Sequence, residues 1–323
     1  MDKIQSEHLF NIQFNGAAYN LIRPEELRNF ARNWENRILK EKGIRQLWAD
    51  TIRQKADNRR LRIGYLSADW CNHPVCRFML PVLENHNKKL VEVWGLSSSP
   101  HHDQSYEMAK GLCDHWIDLE HASDLEVARM IADLKLDVLV ELGGYTGHSR
   151  IAALLYRPAP VQLSYIGYFA PTYLNAIDGW IGDRELFGGL APVDAQSQKL
   201  WMVKDGYMAY SDFNSLPKCE RSPGETFHFG SFNHSRKLNQ STISLYAKVL
   251  SEVPLSKLIL KSISFTEEAE QERVLQALNA YGINADRIIL LQSTLTHIEH
   301  LKLYKEVDLV LDPIPYGGAT STC

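Results

Sequence analysis

The sequence predicts an α/β fold: two successive doubly wound parallel-sheet units behind an N-terminal helical segment. Three observations predict it. Short apolar runs recur about 25–45 residues apart with helical periodicity between them, the pattern of strands covered on both faces. The alternation breaks around residues 206–226, which hold Gly206, Pro217, Pro223 and Gly224, and then resumes. A length of 323 residues with 45% hydrophobic side chains leaves room for two cores. The expected division is therefore a helical segment over 1–60, a first domain over 61–205, a crossing over 206–226 and a second domain over 227–323.

Residues 24–56 read as helix, because Pro24 suits a first turn and Leu27, Phe30, Trp34 and Ile38 repeat at helical spacing. A polar break, Asp57-Asn-Arg-Arg60, follows. Strands are expected at Arg62–Ser67, Val91–Leu96, Trp116–Leu119 and Asp137–Leu142, with helices over Arg77–His86, 104–113 and Asp124–Leu134. After the crossing, strands are expected at Phe227–Phe232, Lys257–Lys261, Arg287–Leu291 and Asp308–Leu311. The helices between them are Ser241–Val253, 266–280 and Ile298–Glu306. In open parallel sheets ligands bind beyond the carboxyl ends of the strands. The chemistry-bearing residues of this chain fall in such loops: 69–75, 143–150, 166–172, 233–237 and 312–322.

Composition excludes several classes. The net charge is −4, so no strongly basic field points to nucleic acid. Cysteines 71, 76, 113, 219 and 323 form no Cys-x-x-Cys pair, which fits the reduced thiols of a cytoplasmic protein. The N-terminus lacks a signal peptide's basic-then-apolar shape, and no run of about 18 apolar residues points to a membrane.

The most informative stretch is the last one, Asp312-Pro-Ile-Pro-Tyr-Gly-Gly-Ala-Thr-Ser-Thr-Cys323. An apolar strand runs into small residues that would open a helix, where free N–H groups and hydroxyls suit a phosphate. The chain stops where that helix should begin, so the second domain is expected to be incomplete. Asp69-Trp-Cys-Asn-His73-Pro74 follows the first strand and places a histidine beside an acid, as general base or hydroxyl binder; Asn72 and Pro74 equally suit an ordinary turn. Gly143-Gly-Tyr-Thr-Gly147, with Arg150, reads as a phosphate or sugar loop or as a plain turn. Asn233-His-Ser-Arg-Lys237 reads as a diphosphate loop or a solvated basic one, with Asn239 and Ser241 as helix caps. His297 and His300 share one helical face, but no third metal ligand is evident nearby. Gly-x-Gly-x-x-Gly, Gly-x-x-x-x-Gly-Lys-Ser/Thr, Gly-x-Ser-x-Gly and Asp-x-Asp are all absent.

Taken together these segments resemble the catalytic region of the protein O-linked N-acetylglucosamine transferases and the related Spindly-type enzymes of glycosyltransferase family 41. The matching stretches, in family order, are Leu61–Pro74, Gly143–Thr146, Arg157–Gln162, Ile166–Tyr168, Gly230–Asn233 through Lys237, and Leu311–Pro313 through Thr322. The resemblance implies two Rossmann-like domains of GT-B type. It also implies inverting, metal-independent transfer of a sugar, foremost N-acetylglucosamine from UDP-GlcNAc, to Ser or Thr of proteins. No cofactor is implied beyond that UDP-sugar donor. By the same resemblance His73 is the cleft histidine and Asp69 its neighbouring acid. Arg150 lies near the sugar, Lys237 meets the diphosphate and His300 packs on the nucleobase. Gly318, Thr320 and Ser321 form the phosphate loop.

This sequence departs from the family at several positions. His234 replaces a nucleotide-site Gln, His297 a Lys near the base and Val75 a Thr. Gly167-Tyr-Phe-Ala170 replaces Gly-Tyr-Pro-Gly, and Gln5 or Ser6 stands near the family's upstream histidine, with His8 out of register. The family's next residue after Cys323 would be a ribose-holding acid, and its usual leading array of helical repeats is not in the sequence. Two other readings stay open: a member using another sugar nucleotide or acceptor, and an inactive fragment that acts as a binding module.

Overall fold

The computed structural model describes residues 23–47, 59–188, 199–210, 226–314 and 317–319, apart from the His297 side chain. The chain divides into two compact units, Met1–Ser211 and Asp212–Cys323.

In the first unit, α1 (Pro24–Glu41) starts on a proline, and Glu26 reaches back to the Arg23 N–H. Leu27, Ala31, Trp34 and Ile38 form its buried face. The helix ends well before residue 56. Gly43 takes a left-handed φ of 55°, and the Ile44 N–H turns back to the Leu39 carbonyl at 3.0 Å. That is a Schellman stop, which a glycine adopts without strain. Residues 48–56 lie outside the described residues.

A seven-stranded, wholly parallel sheet follows, built from β1 (Leu61–Ser67), β2 (Val91–Ser97), β3 (His115–Asp118), β4 (Val138–Glu141), β5 (Val161–Ser164), β6 (Gly179–Gly182) and β7 (Lys199–Met202). Its order is β3-β2-β1-β4-β5-β6-β7. Helices α2 (Pro74–Glu84), α3 (Gln104–Leu112) and α4 (Asp124–Leu134) connect the first four strands. Strand side chains alternate between faces, so two cores form. Leu66, Leu96 and Leu139 pack with α1, α4 and a 3-10 helix (Ile151–Tyr156). Tyr65, Val93 and Val140 pack with α2 and α3. A short α5 (Arg184–Gly188) follows β6.

The buried carboxylate of Glu35 fixes α1 to the chain between β5 and β6. It accepts N–H groups of Asn175 and Ala176, each at 3.0 Å, and the Asn175 side-chain amide at 2.9 Å.

The second unit holds a parallel sheet of β8 (His228–Ser231), β9 (Lys257–Lys261), β10 (Ile288–Leu291) and β11 (Leu309–Val310), ordered β10-β9-β8-β11. Helices α6 (Gln240–Glu252), α7 (Glu268–Asn279) and α8 (His297–Lys302) intervene. The stretch expected as one helix to Glu306 tightens after Lys302 into a 3-10 turn, Leu303–Glu306. Counted within each unit, both sheets place their first four strands in the order 3-2-1-4. No described helix is long and apolar enough to cross a membrane.

Candidate functional site

The order 3-2-1-4 places strands 1 and 4 side by side with connections leaving in opposite directions, which opens a crevice beyond their carboxyl ends. In the first unit those ends are Ser67 and Glu141. The Asp69 N–H donates to Ser67 Oγ at 2.9 Å, turning the chain off β1. The Asn72 N–H is held by Asp103 at 2.7 Å, and the Trp70 indole donates to the Leu96 carbonyl at 3.2 Å. His73 then caps α2. Its Nδ1 accepts the Val75 N–H at 3.3 Å and stands 3.7 Å from Asp69 Oδ2. A neutral ring that accepts on Nδ1 carries its proton on Nε2. His73 is therefore a donor at that atom. The open acceptor of the pair is Asp69 Oδ2, buried and without a hydrogen-bond partner among the described residues. Burial raises the Asp69 pKa, and His73 and His148 oppose the rise.

The sequence reading missed Glu141. Its side chain is 1% exposed at the end of β4. Its carboxylate accepts the N–H groups of Gly143 at 2.9 Å and Gly144 at 2.7 Å, and the Ser149 hydroxyl at 3.3 Å. Burial pushes its pKa up to about 7, the two N–H groups pull it down, and the Asp69 charge adds to the rise. The signal was an acid closing the apolar strand Val138-Leu-Val-Glu141 just ahead of two glycines. The Gly143-Gly144 turn thus spends its first two N–H groups on an internal carboxylate.

Arg150 and Gly167 are engaged within this unit. The Arg150 guanidinium donates to the Glu120 carbonyl at 2.6 Å and the Leu119 carbonyl at 3.4 Å, and lies 3.8 Å from Asp124. These contacts tie it to the chain after β3. A Cβ on Gly167 would collide with the Leu142 carbonyl oxygen, so glycine is required there for backbone to pass backbone.

In the second unit the crevice lies beyond Ser231 and the end of β11. His234 caps a 3-10 turn, Ser235–Lys237, by accepting the Arg236 N–H on Nδ1 at 3.2 Å. Burial lowers the His234 pKa, and Arg236 and Lys237 add to the fall. The Lys237 ammonium donates to the Gly317 carbonyl at 2.7 Å and to Asn233 Oδ1 at 3.3 Å. Burial lowers its pKa against the pull of Asp312. Asp312 Oδ1 in turn accepts the Gly318 N–H at 3.1 Å. Lys237 and the loop that holds Gly318 are therefore in direct contact. His300 lies on α8 among aromatic rings, 5.8 Å from Phe232 and 5.7 Å from Tyr304 between centroids. His297 opens α8, behind the capping Thr296. Thr320 and Ser321 lie outside the described residues, as does the His297 side chain. Among the described residues no group of three His, Cys, Asp or Glu stands close enough to hold a metal ion.

Comparison with known proteins bears on the same segments. The model of Glycosyl transferase family 41 matches residues 44–220, more than half of the chain. The chain is 30% identical over 304 residues to a Solanum lycopersicum protein named "Probable UDP-N-acetylglucosamine--peptide N-acetylglucosaminyltransferase SPINDLY", covering 90% of this chain and 32% of that one. It is 30% identical over 284 residues to the Arabidopsis thaliana protein of the same description named SEC, covering 84% and 29%. The chain thus spans about a third of the length of these relatives. Among solved structures it is similar to a Thermobaculum terrenum O-GlcNAc transferase variant, with a TM-score of 0.88 and 26% identity, covering 99% of this chain and 60% of that one. The fold is therefore the GT-B type that the resemblance implied. With the switch-point loops, the matched segments and the shared fold in agreement, the chain belongs to glycosyl transferase family 41.

Proposed function

We propose that this chain carries both sugar-transfer surfaces of a glycosyltransferase that moves a sugar, foremost N-acetylglucosamine from UDP-N-acetylglucosamine, onto Ser or Thr hydroxyls of proteins. One observation carries the reading: a partly buried ammonium, Lys237, at the end of β8 in contact with the glycine loop after β11. A cation and loop N–H groups in that position stabilise the charge that builds on a departing diphosphate, and a metal is not needed for that task. The names of the relatives support the donor and the peptide acceptor.

The reaction is a single displacement with inversion. The acceptor oxygen bonds to the anomeric carbon as that carbon's bond to the diphosphate oxygen breaks, and the electron pair leaves with the diphosphate. Asp69 Oδ2 takes the hydroxyl proton, directly or through one water, while His73 Nε2–H orients the acceptor. Arg150, Gly167, His234, His297 and His300 surround donor or acceptor in this reading, with His300 and its aromatic neighbours against the base. Thr320 and Ser321 extend the phosphate loop. The protein works in the cytoplasm, without nucleic acid or membrane partners.

The test is transfer from labelled UDP-N-acetylglucosamine to Ser/Thr peptides in excess chelator. Turnover that survives chelation is expected. Loss of turnover restored by Mg²⁺ or Mn²⁺ overturns the metal-free mechanism. His234 and His297 stand where family members carry Gln and Lys, which favours a second reading in which another nucleotide is the donor. Competition by UDP, GDP and ADP separates the two.

A further inference from the structure

Helix α6 packs its apolar side, Ile243, Ala247 and Leu250, into the core of the second unit. Thr242 and Tyr246, four apart, share another face of the same helix, and Asn239 caps its start by accepting the Thr242 N–H at 2.9 Å. All three are just as buried, Asn239 at 8%, Thr242 at 0% and Tyr246 at 1% exposure. A buried helix face ordinarily carries apolar residues, because a buried polar group costs stability unless it is hydrogen-bonded. Each of these three is bonded to the backbone that follows β11. Asn239 Nδ2 donates to the Ile314 carbonyl at 2.9 Å. Tyr246 donates to the Leu311 carbonyl at 3.1 Å and lies 3.0 Å from Ser231 Oγ.

Thr242 does more. Its hydroxyl oxygen accepts the Ile314 N–H at 3.1 Å. Its single proton has two carbonyls in reach, Ile314 at 2.9 Å and Lys237 at 3.0 Å. One side chain therefore joins the backbone of Lys237 to the backbone of the loop that ends in Gly317 and Gly318. The Lys237 side chain closes the circuit on Gly317.

We propose that Thr242, seconded by Asn239 and Tyr246, is a positioning residue for the diphosphate site: it holds the loop after β11 at a fixed distance from Lys237, so that ammonium and loop N–H groups address one anion. The proposal rests on the donor reading above. Thr242 touches no substrate; it acts through the two segments it joins. The cost of losing it falls on the diphosphate and spares the base and ribose.

The experiment uses Thr242→Val, which keeps the shape and removes the hydroxyl, and Thr242→Ser, which keeps the hydroxyl. Calorimetry measures whichever of UDP, GDP or ADP the wild type binds tightest, and its parent nucleoside. Removing the acceptor of the buried Ile314 N–H and the one hydroxyl proton shared by the Ile314 and Lys237 carbonyls should weaken diphosphate binding by about tenfold in Thr242→Val. Nucleoside binding should stay within about twofold, and Thr242→Ser should restore the diphosphate. Equal diphosphate binding by Thr242→Val and wild type overturns the proposal. So does a parallel loss of nucleoside binding, which would mean that Thr242 only supports the fold. If Thr242→Val does not fold, Tyr246→Phe removes one oxygen and reads the same split with a smaller change; no split there overturns the proposal. A wild type that binds diphosphate no better than nucleoside overturns the donor reading itself, a result distinct from the others.

Discussion

The two crevices lie at the same topological position and have opposite chemistry. Beyond β1 and β4 stand Asp69, His73 and Glu141, and the glycine turn there gives its N–H groups to an internal carboxylate. Beyond β8 and β11 stand Lys237 and a glycine loop bonded to it, beside Asp312. The first place suits a hydroxyl that must lose a proton, and the second suits an anion that must be held. Strand order fixes where a ligand sits. What the ligand is follows from a few side chains at the strand ends: a glutamate takes two glycine N–H groups in the first unit and an aspartate takes one in the second, where an ammonium joins them.

The comparison breaks most visibly at Lys237. Lys237→Ala should lower turnover on the order of 10²-fold or more, with a smaller change in donor affinity, because the charge acts mainly as the leaving group departs. Steady-state transfer kinetics check it, and wild-type rates would remove the anion assignment from the second crevice.

Next in size is the pH dependence of Glu141. The folded chain keeps a proton on this carboxyl up to about pH 7, whereas an ordinary glutamate releases it near 4.5. The folded state binds more protons across that window, so the contribution of this group to stability is greatest at low pH and is lost as pH rises through 7. Glu141→Gln should remove about 2 kcal/mol of that slope between pH 5 and 8, read by denaturant unfolding at a series of pH values. An unchanged slope would mean that Glu141 is ionised throughout, and the first crevice would then carry more negative charge than described.

The smallest effect sharpens the boundary of the first crevice. Arg150→Gln loses the charge-assisted bond to the Glu120 carbonyl and should cost about 1 kcal/mol in stability. Because Arg150 is proposed to lie at donor or acceptor, the substitution should also raise KM by about threefold with kcat near that of the wild type. An unchanged KM would confine Arg150 to the chain after β3.

Much of this was legible in the sequence because it is local. Asp124–Leu134 carries its own capping box, Ser123 with Glu126, and its helical periodicity sets the rest. Lys257–Lys261 is a compact apolar strand. Asp69 and His73 declare themselves by following the first strand. What the sequence did not disclose depends on distant partners. β5, β6 and β7 are four-residue strands, too short for a period, and the chain from β5 to β6 crosses without a helix. Arg150 binds carbonyls about 30 residues earlier in the chain. Glu141 looks like the polar end of a strand until Gly143, Gly144 and Ser149 fold back on it. Thr242 reads as one more helix residue until Ile314, 72 residues on, arrives at its hydroxyl.

The anchor of α1 has a consequence for synthesis. Glu35 finds its partners 140 residues further along the chain. A ribosome adding roughly 5–20 residues each second needs on the order of ten seconds to supply them. For that interval the helix carries a carboxylate with no amide to receive it and an apolar stripe, Leu27, Ala31, Trp34 and Ile38, still short of its final cover. Helix α1 thus leaves the ribosome well before its anchor does, and during that wait its stripe is where a chaperone would find the nascent chain.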